Sequence, residues 1–178
     1  ITGATSGVGK AAAELFSSTS QVIGTTSSED KVSQFNSKGS EADRQYCLVT
    51  MDLADETQRM SGWKRVKELF GGVPDVIIHN AGSGELGSIE DTGLNHSRRL
   101  FEINYWGAVW LTKEVIPVWR ERGSGHILFM GSIVFELQFP FKAQYCASKS
   151  ALSAFALSLR HEVEPYGIKT HLLEPGWI

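Results

Sequence analysis

Cysteine is scarce in this chain. Cys47 and Cys146 are the only two in 178 residues, far apart and in no metal or redox spacing. That excludes a disulfide framework and makes a reduced, cytoplasmic protein the expectation. A basic excess is also lacking: 17 Lys and Arg face 20 Asp and Glu, a net charge of -3, so no nucleic-acid partner is expected. No apolar run approaches the roughly 20 residues that span a bilayer, so no membrane span is expected either. Repeats and low-complexity tracts are absent, and the polar stretch 27–39 is too short for an interdomain linker.

What is present is enough to bury one sizeable core. With 42% hydrophobic and 10% aromatic residues over this length, a single domain covering residues 1–178 is expected. Both ends look cut. Only Ile1 and Thr2 precede the first turn glycine, and the chain stops at Pro175-Gly176-Trp177-Ile178, directly after a strand-like run. A fragment is therefore expected, lacking its first strand residues and a carboxyl segment, with any targeting peptide out of sight.

The opening reads Ile1-Thr2-Gly3-Ala4-Thr5-Ser6-Gly7-Val8-Gly9, followed by an alanine-rich helical segment. Three glycines between a strand end and a helix suit a pyrophosphate, because the backbone can approach closely and the helix N-terminus favours negative charge. A plain strand-to-helix turn has the same composition, and the spacing differs from the usual dinucleotide fingerprint.

Further along, short apolar runs alternate with stretches of helical period. Strands are predicted at 21–25, 46–51, 74–79, 126–130 and 168–173. Helices are predicted at 8–16, 57–70, 97–122 and 144–164, with Gly71-Gly72 and Gly123 as stops and Pro117 kinking or ending the third helix early. This pattern predicts an α/β fold with a doubly wound parallel sheet, Rossmann-like, whose ligand crevice lies beyond the carboxyl ends of the strands. The polar motifs fall at such ends: Asp52-Leu53, Asn80-Ala81-Gly82, Gly131-Ser132 and Pro175-Gly176. Each alone has a bland reading as a cap, a turn or a strand stop.

Tyr145 and Lys149 stand four apart in a predicted helix, hence on one face. A neighbouring cation favours the phenolate and suits the phenol to acid/base work. Ser132, thirteen residues earlier at a strand end, can hold a substrate oxygen while Tyr145 moves the proton. Asn104 sits inside a predicted helix, where an Asn is unfavourable unless its amide is used.

These residues resemble the short-chain dehydrogenase/reductase family over essentially the whole chain. Thr2, Gly3, Gly7 and Gly9 match its cofactor turn, and Asn80-Ala81-Gly82, Asn104, Ser132, Tyr145, Lys149 and Pro175-Gly176 match its other marks. The resemblance implies an enzyme that moves hydride between NAD(P) and a carbonyl or alcohol. In it Tyr145 is the acid/base, Ser132 orients the carbonyl, Lys149 binds the nicotinamide ribose and favours ionisation of Tyr145, and Asn104 supports a proton-relay water. For the cofactor it implies Gly3, Thr5, Ser6, Gly7, Val8 and Gly9 at the phosphates, with Thr26 and Ser27 at the adenosine ribose. Asp52 and Leu53 are then at the adenine, and Asn80, Ala81, Gly82, Tyr145, Lys149, Pro175, Gly176 and Ile178 lie along its path. The gap between the first two glycines separates the chain from extended relatives acting on nucleotide sugars.

Two features depart from the family pattern. His79 stands where many members carry a second Asn, and a neutral structural histidine is expected there. The carboxyl part with which the family completes its sheet and builds much of its substrate lid is expected to lie beyond Ile178. Cofactor choice turns on Thr25-Thr26-Ser27-Ser28, which carries no carboxylate to favour NAD; NADP is expected, with NAD the alternative. After Ser132, the apolar residues Ile133, Val134, Phe135, Leu137, Phe139 and Phe141 either wall a pocket for a lipophilic ketone or alcohol or pack under the missing segment. Trp106, Trp110, Leu111 and Val115 form a stripe that reads as core. In this family the corresponding helix commonly builds a dimer or tetramer interface, so a homo-oligomer is expected. A non-catalytic cofactor-sensing module is the alternative to the enzyme. An unrelated phosphate-binding α/β domain explains only the first turn.

Overall fold

The computed structural model describes residues 1–37 and 46–176. The chain divides into two compact units, Ile1–Pro74 and Asp75–Ile178.

In the first unit the order is α1 (Gly7–Phe16), β1 (Ile23–Thr26), α2 (Glu29–Asn36), β2 (Cys47–Thr50) and α3 (Glu56–Phe70). Strands β1 and β2 run parallel, with Ile23 opposite Cys47 and Thr26 opposite Thr50. The opening residues lie along β1: Thr25 N donates to the Ile1 carbonyl and Ala4 N to the Thr25 carbonyl, both at 2.9 Å. Ala4, Ala13, Val22, Tyr46 and Leu48 form a small core, against which Val32 and Phe35 of α2 pack. Helix α3 begins where the Asp55 carboxylate accepts from Gln58 N at 2.8 Å and ends at Gly71 in the left-handed region, the cap geometry that glycine permits without strain.

Helix α2 falls in the stretch read from sequence as a polar connection. Ser28 caps it by accepting from Lys31 N, and Glu29 and Asp30 occupy its first turn, complementing the helix dipole. Only two apolar residues mark its buried side, too few for a periodic signal.

In the second unit the order is β3 (Val76–His79), α4 (Leu94–Phe101), a π-helical turn Glu102–Trp106, α5 (Gly107–Arg122), β4 (Gly125–Met130), a 3₁₀ turn Ile133–Phe135, α6 (Ala143–Val163), a second 3₁₀ turn Glu164–Tyr166 and β5 (Ile168–Leu173). The sheet is parallel in the order β3-β4-β5. Its core joins Leu111, Val115 and Trp119 of α5 to Ile127 and Phe129 of β4, Ile168 of β5 and Leu152, Ala156, Leu159 and Val163 of α6, all buried. Burial of this apolar surface, at about 25 cal/mol per Å², is what holds helices and sheet together.

Two expectations for the long helix are corrected. It starts at Leu94 rather than Ser97, and the π-helical turn interrupts it. Pro117 does not end it early, since α5 continues to Arg122. Pro117 and Lys113, whose carbonyl loses its helical donor, both lie on the exposed side, where water can replace the bond. The aromatic stripe also divides: Leu111 and Val115 are buried, whereas Trp106 is 48% exposed.

Candidate active site

Parallel strands place their carboxyl ends on one edge, and in the second unit that edge carries every polar motif read from the sequence there. Asn80-Ala81-Gly82 follows β3, Gly131-Ser132 follows β4 and Glu174-Pro175-Gly176 follows β5. Helix α6 starts near this edge and bears Tyr145 and Lys149 in its first two turns.

Lys149 is only 4% exposed. Its ammonium donates to the Met130 carbonyl at 2.7 Å, two residues before Ser132, so the helix carrying Tyr145 is tied to the strand end carrying Ser132. Burial pushes the Lys149 pKa down to about 8, because a charged group loses hydration in the interior. A Cβ added at Gly82 would stand 3.5 Å from the Lys149 Nζ and 3.6 Å from the Asn104 Oδ1. The strand-end glycine therefore lies against both polar groups.

Asn104, 1% exposed, is turned inward by the π-helical turn, whose extra residue alters the helical register. Its Oδ1 accepts from Ser83 N at 2.7 Å, and its Nδ2 donates to the Ser83 carbonyl at 2.9 Å and to the Ser148 Oγ at 3.0 Å. The amide thus replaces a backbone partner for Ser83 and fixes the segment after β3 to α6. The Ser148 hydroxyl in turn donates to the Tyr145 carbonyl at 2.8 Å. Sequence reasoning missed Ser148 and Ser83, and its only signal for the bond was that Asn104 should use its amide. Ser132 is buried, and its Oγ accepts from Val134 N at 3.4 Å. Tyr145 is half-buried.

His79 behaves as the neutral structural residue expected. It is buried at the end of β3, stacked on Phe129 at 4.9 Å, with Nε2 3.2 Å from the Thr112 hydroxyl. Burial lowers its pKa to about 3. Of the apolar residues after Ser132, Val134 is buried, while Leu137 and Phe141 are 52% and 60% exposed. Phe141 has a φ of 62°, unusual for a residue with a side chain, and its carbonyl accepts from Gly87 N at 2.9 Å.

The first unit presents a second group of the expected residues. Gly3 and Gly7 have positive φ values of 68° and 53°, which orient the turn as glycine allows. Ser6, at the N-cap of α1, makes no side-chain capping bond. The amides of Gly7, Val8 and Gly9 are thus not closed off by a Ser6 cap, as an anion site needs. Thr26 is buried at the end of β1, where its hydroxyl lies 3.5 Å from that of Thr5 and accepts from Ser28 N at 3.3 Å; Ser27 is exposed. Asp52 accepts from Ala54 N at 2.9 Å in an Asx turn after β2, and Leu53 is buried beside it. Glycines, an uncapped helix start and small hydroxyls fit a dinucleotide phosphate chain in kind. Ile178 lies outside the described residues. Among the described residues no cluster of His, Cys, Asp or Glu could hold a metal.

Comparison with known proteins follows the same lines. A family model described as short chain dehydrogenase matches residues 1–178. The chain is 36% identical to dehydrogenase/reductase SDR family member 7B of Rattus norvegicus, covering all of this chain and 57% of that protein. The crystal structure of a short-chain dehydrogenase from Streptomyces avermitilis superimposes with a TM-score of 0.88 at 33% identity, over all of this chain and 66% of that one. A 4-hydroxyisoleucine dehydrogenase complexed with NADH gives 0.87 at 25% identity, over 99% of this chain and 71% of that one. The chain thus spans little more than half the length of the curated relative and shares the Rossmann-like α/β fold of these structures.

Proposed function

This chain belongs to the short-chain dehydrogenase family, and we propose that the whole protein is an NAD(P)-dependent oxidoreductase interconverting a ketone or aldehyde and an alcohol. The observation that carries this reading is the Lys149 bond to the Met130 carbonyl, which ties the helix bearing Tyr145 to the strand end bearing Ser132. A bound nicotinamide supplies or takes the hydride. Ser132 holds the substrate oxygen, and the Tyr145 hydroxyl gives it a proton during reduction or takes one during oxidation. The Lys149 ammonium binds the nicotinamide ribose and favours the tyrosinate. Asn104 supports a water that passes the proton onward while its amide holds Ser83 and Ser148. Gly3 to Gly9 take the pyrophosphate, Asp52 and Leu53 the adenine, and Asn80 to Gly82 with Pro175, Gly176 and Ile178 the remaining path.

NADP is the proposed form, because Thr26, Ser27 and Ser28 supply hydroxyls and no carboxylate at the end of β1. A second reading, NAD, is favoured by Glu29 and Asp30 in the first turn of α2, whose charge would oppose a 2′-phosphate. A tenfold higher initial rate with NADH would select it. The exposed Leu86, Leu137 and Phe141 support a lipophilic substrate. A homodimer or homotetramer through the face bearing the exposed Trp106, and a cytoplasmic location, complete the proposal.

The test is Tyr145→Phe in the intact protein, assayed against aliphatic, aromatic and steroidal carbonyls. Turnover should fall by roughly 10³ while cofactor binding is kept. Unchanged turnover would remove Tyr145 as the acid, and an intact protein that binds cofactor without turning over any carbonyl would be a sensing module.

A further inference from the structure

Polar side chains continue along α6 beyond the pair already described. Ser153 stands one turn past Lys149, as Lys149 stands one turn past Tyr145, so the three share one face. Ser153 is fully buried. Its hydroxyl donates to the Glu174 Oε1 at 3.2 Å, although 21 residues separate the two.

Glu174 follows β5 directly, and its neighbours hold Ser132 from both sides. Gly131 N donates to the Leu173 carbonyl at 2.7 Å, and Ile133 N donates to the Pro175 carbonyl at 3.1 Å. The packing is close: a Cβ at Gly131 would meet the Leu173 carbonyl at 3.1 Å and the Glu174 Cγ at 3.2 Å. Residues 173–175 therefore form a backbone clamp on Ser132, and the Glu174 carboxylate fastens that clamp to the helix of Tyr145 and Lys149.

From this chain of contacts we infer that Ser153 and Glu174 are positioning residues that set Ser132 against Tyr145, an inference that rests on the oxidoreductase reading. The Lys149 bond to Met130 secures the strand side of the same junction, before Ser132, and the Ser153 bond to Glu174 secures the side after it. A substrate oxygen shared between a serine and a tyrosine needs both at hydrogen-bond distance at once, so slack in this junction costs rate before it costs binding. Neither side chain touches the reacting atoms; both act through the main chain of residues 131–133.

The experiment compares Ser153→Ala, Glu174→Ala, Glu174→Gln and the double alanine variant in the intact protein. It reads kcat, KM for cofactor, and hydrogen exchange at the Gly131 and Ile133 amides. Either alanine change should lower kcat by about tenfold with cofactor KM within about threefold. The double variant should lose no more than the worse single one, because both remove one bond. Glu174→Gln keeps an acceptor oxygen and should recover most of the lost kcat. Exchange at Gly131 and Ile133 should quicken by at least about fivefold in the alanine variants. Exchange at the unaltered rate, kcat within about twofold of the parent protein, or additive losses in the double variant would each overturn the inference. If the parent protein turns over no carbonyl and Tyr145→Phe changes nothing, the oxidoreductase reading fails. The exchange rates then still decide whether the pair holds residues 131–133.

Discussion

The two units prepare for a ligand by opposite means. In residues 1–74 the groups on offer are mainly main-chain amides, shaped by Gly3 and Gly7 at positive φ and by a helix start that Ser6 leaves uncapped. In residues 75–176 they are the buried side chains of Asn104, Lys149 and Ser153, bonded over long sequence distances to Ser83, to the Met130 carbonyl and to the exposed Glu174. A backbone device binds charge and tolerates change in the side chains around it. A side-chain device fixes particular atoms and depends on each member, which is what the proposed proton transfer needs.

The comparison breaks most visibly in the core beneath the second site. Trp119 is fully buried, its ring against Gly125 of β4, so Trp119→Ala should cost about 3–5 kcal/mol of stability in urea unfolding. A cost under about 1 kcal/mol would mean that this packing does not hold the side-chain device. Next comes Asn104→Ala, which leaves the Ser83 amide and carbonyl without their partner. It should cost about 2–3 kcal/mol and reduce turnover more than cofactor affinity. Gly7→Ala should be milder and of opposite character. An added Cβ meets nothing within 4 Å, so the cost is the left-handed backbone, about 1–2 kcal/mol, felt as weaker cofactor binding in calorimetry.

The effects of pH are read as slopes of stability rather than as the loss of one bond. The folded Lys149 pKa lies near 8 against a usual 10.5. Between these values the unfolded chain keeps a proton that the folded chain has lost, so stability from this residue rises with pH. Turnover that depends on its charge falls over the same range, and a Lys149→Met variant should show neither slope. His79 works at the acid end, with a folded value near 3 against 6.5. Its contribution to stability is complete above about 6.5 and is lost as pH falls towards 3. His79→Gln should flatten that limb in thermal melts.

How much of this could be read beforehand follows from the same contrast. The glycine turn was legible because its spacing is local, and the strand-end motifs because parallel strands share an edge. Tyr145 and Lys149 were legible as one helical face. Helix α2 was not, since Val32 and Phe35 gain meaning only once β1 and β2 form the surface they cover. The π-helical turn leaves no periodic mark, and it is what turns Asn104 inward. The fit of Ser148, Ser153 and Glu174 was also hidden, because a serine on a helix declares its partner only when another strand end arrives beside it.

On this proposal, gripping the cofactor's phosphates and moving the proton are separable tasks, the first of the glycine turn and the second of Tyr145. Its most direct test titrates cofactor against Tyr145→Phe and Gly7→Ala of the intact protein and measures turnover of the same samples. The predicted result is crossed: Tyr145→Phe binds within about threefold of the parent and loses roughly 10³ in kcat, whereas Gly7→Ala binds about tenfold more weakly and keeps most of its kcat at saturation. Parallel losses of binding and kcat in both variants would contradict it.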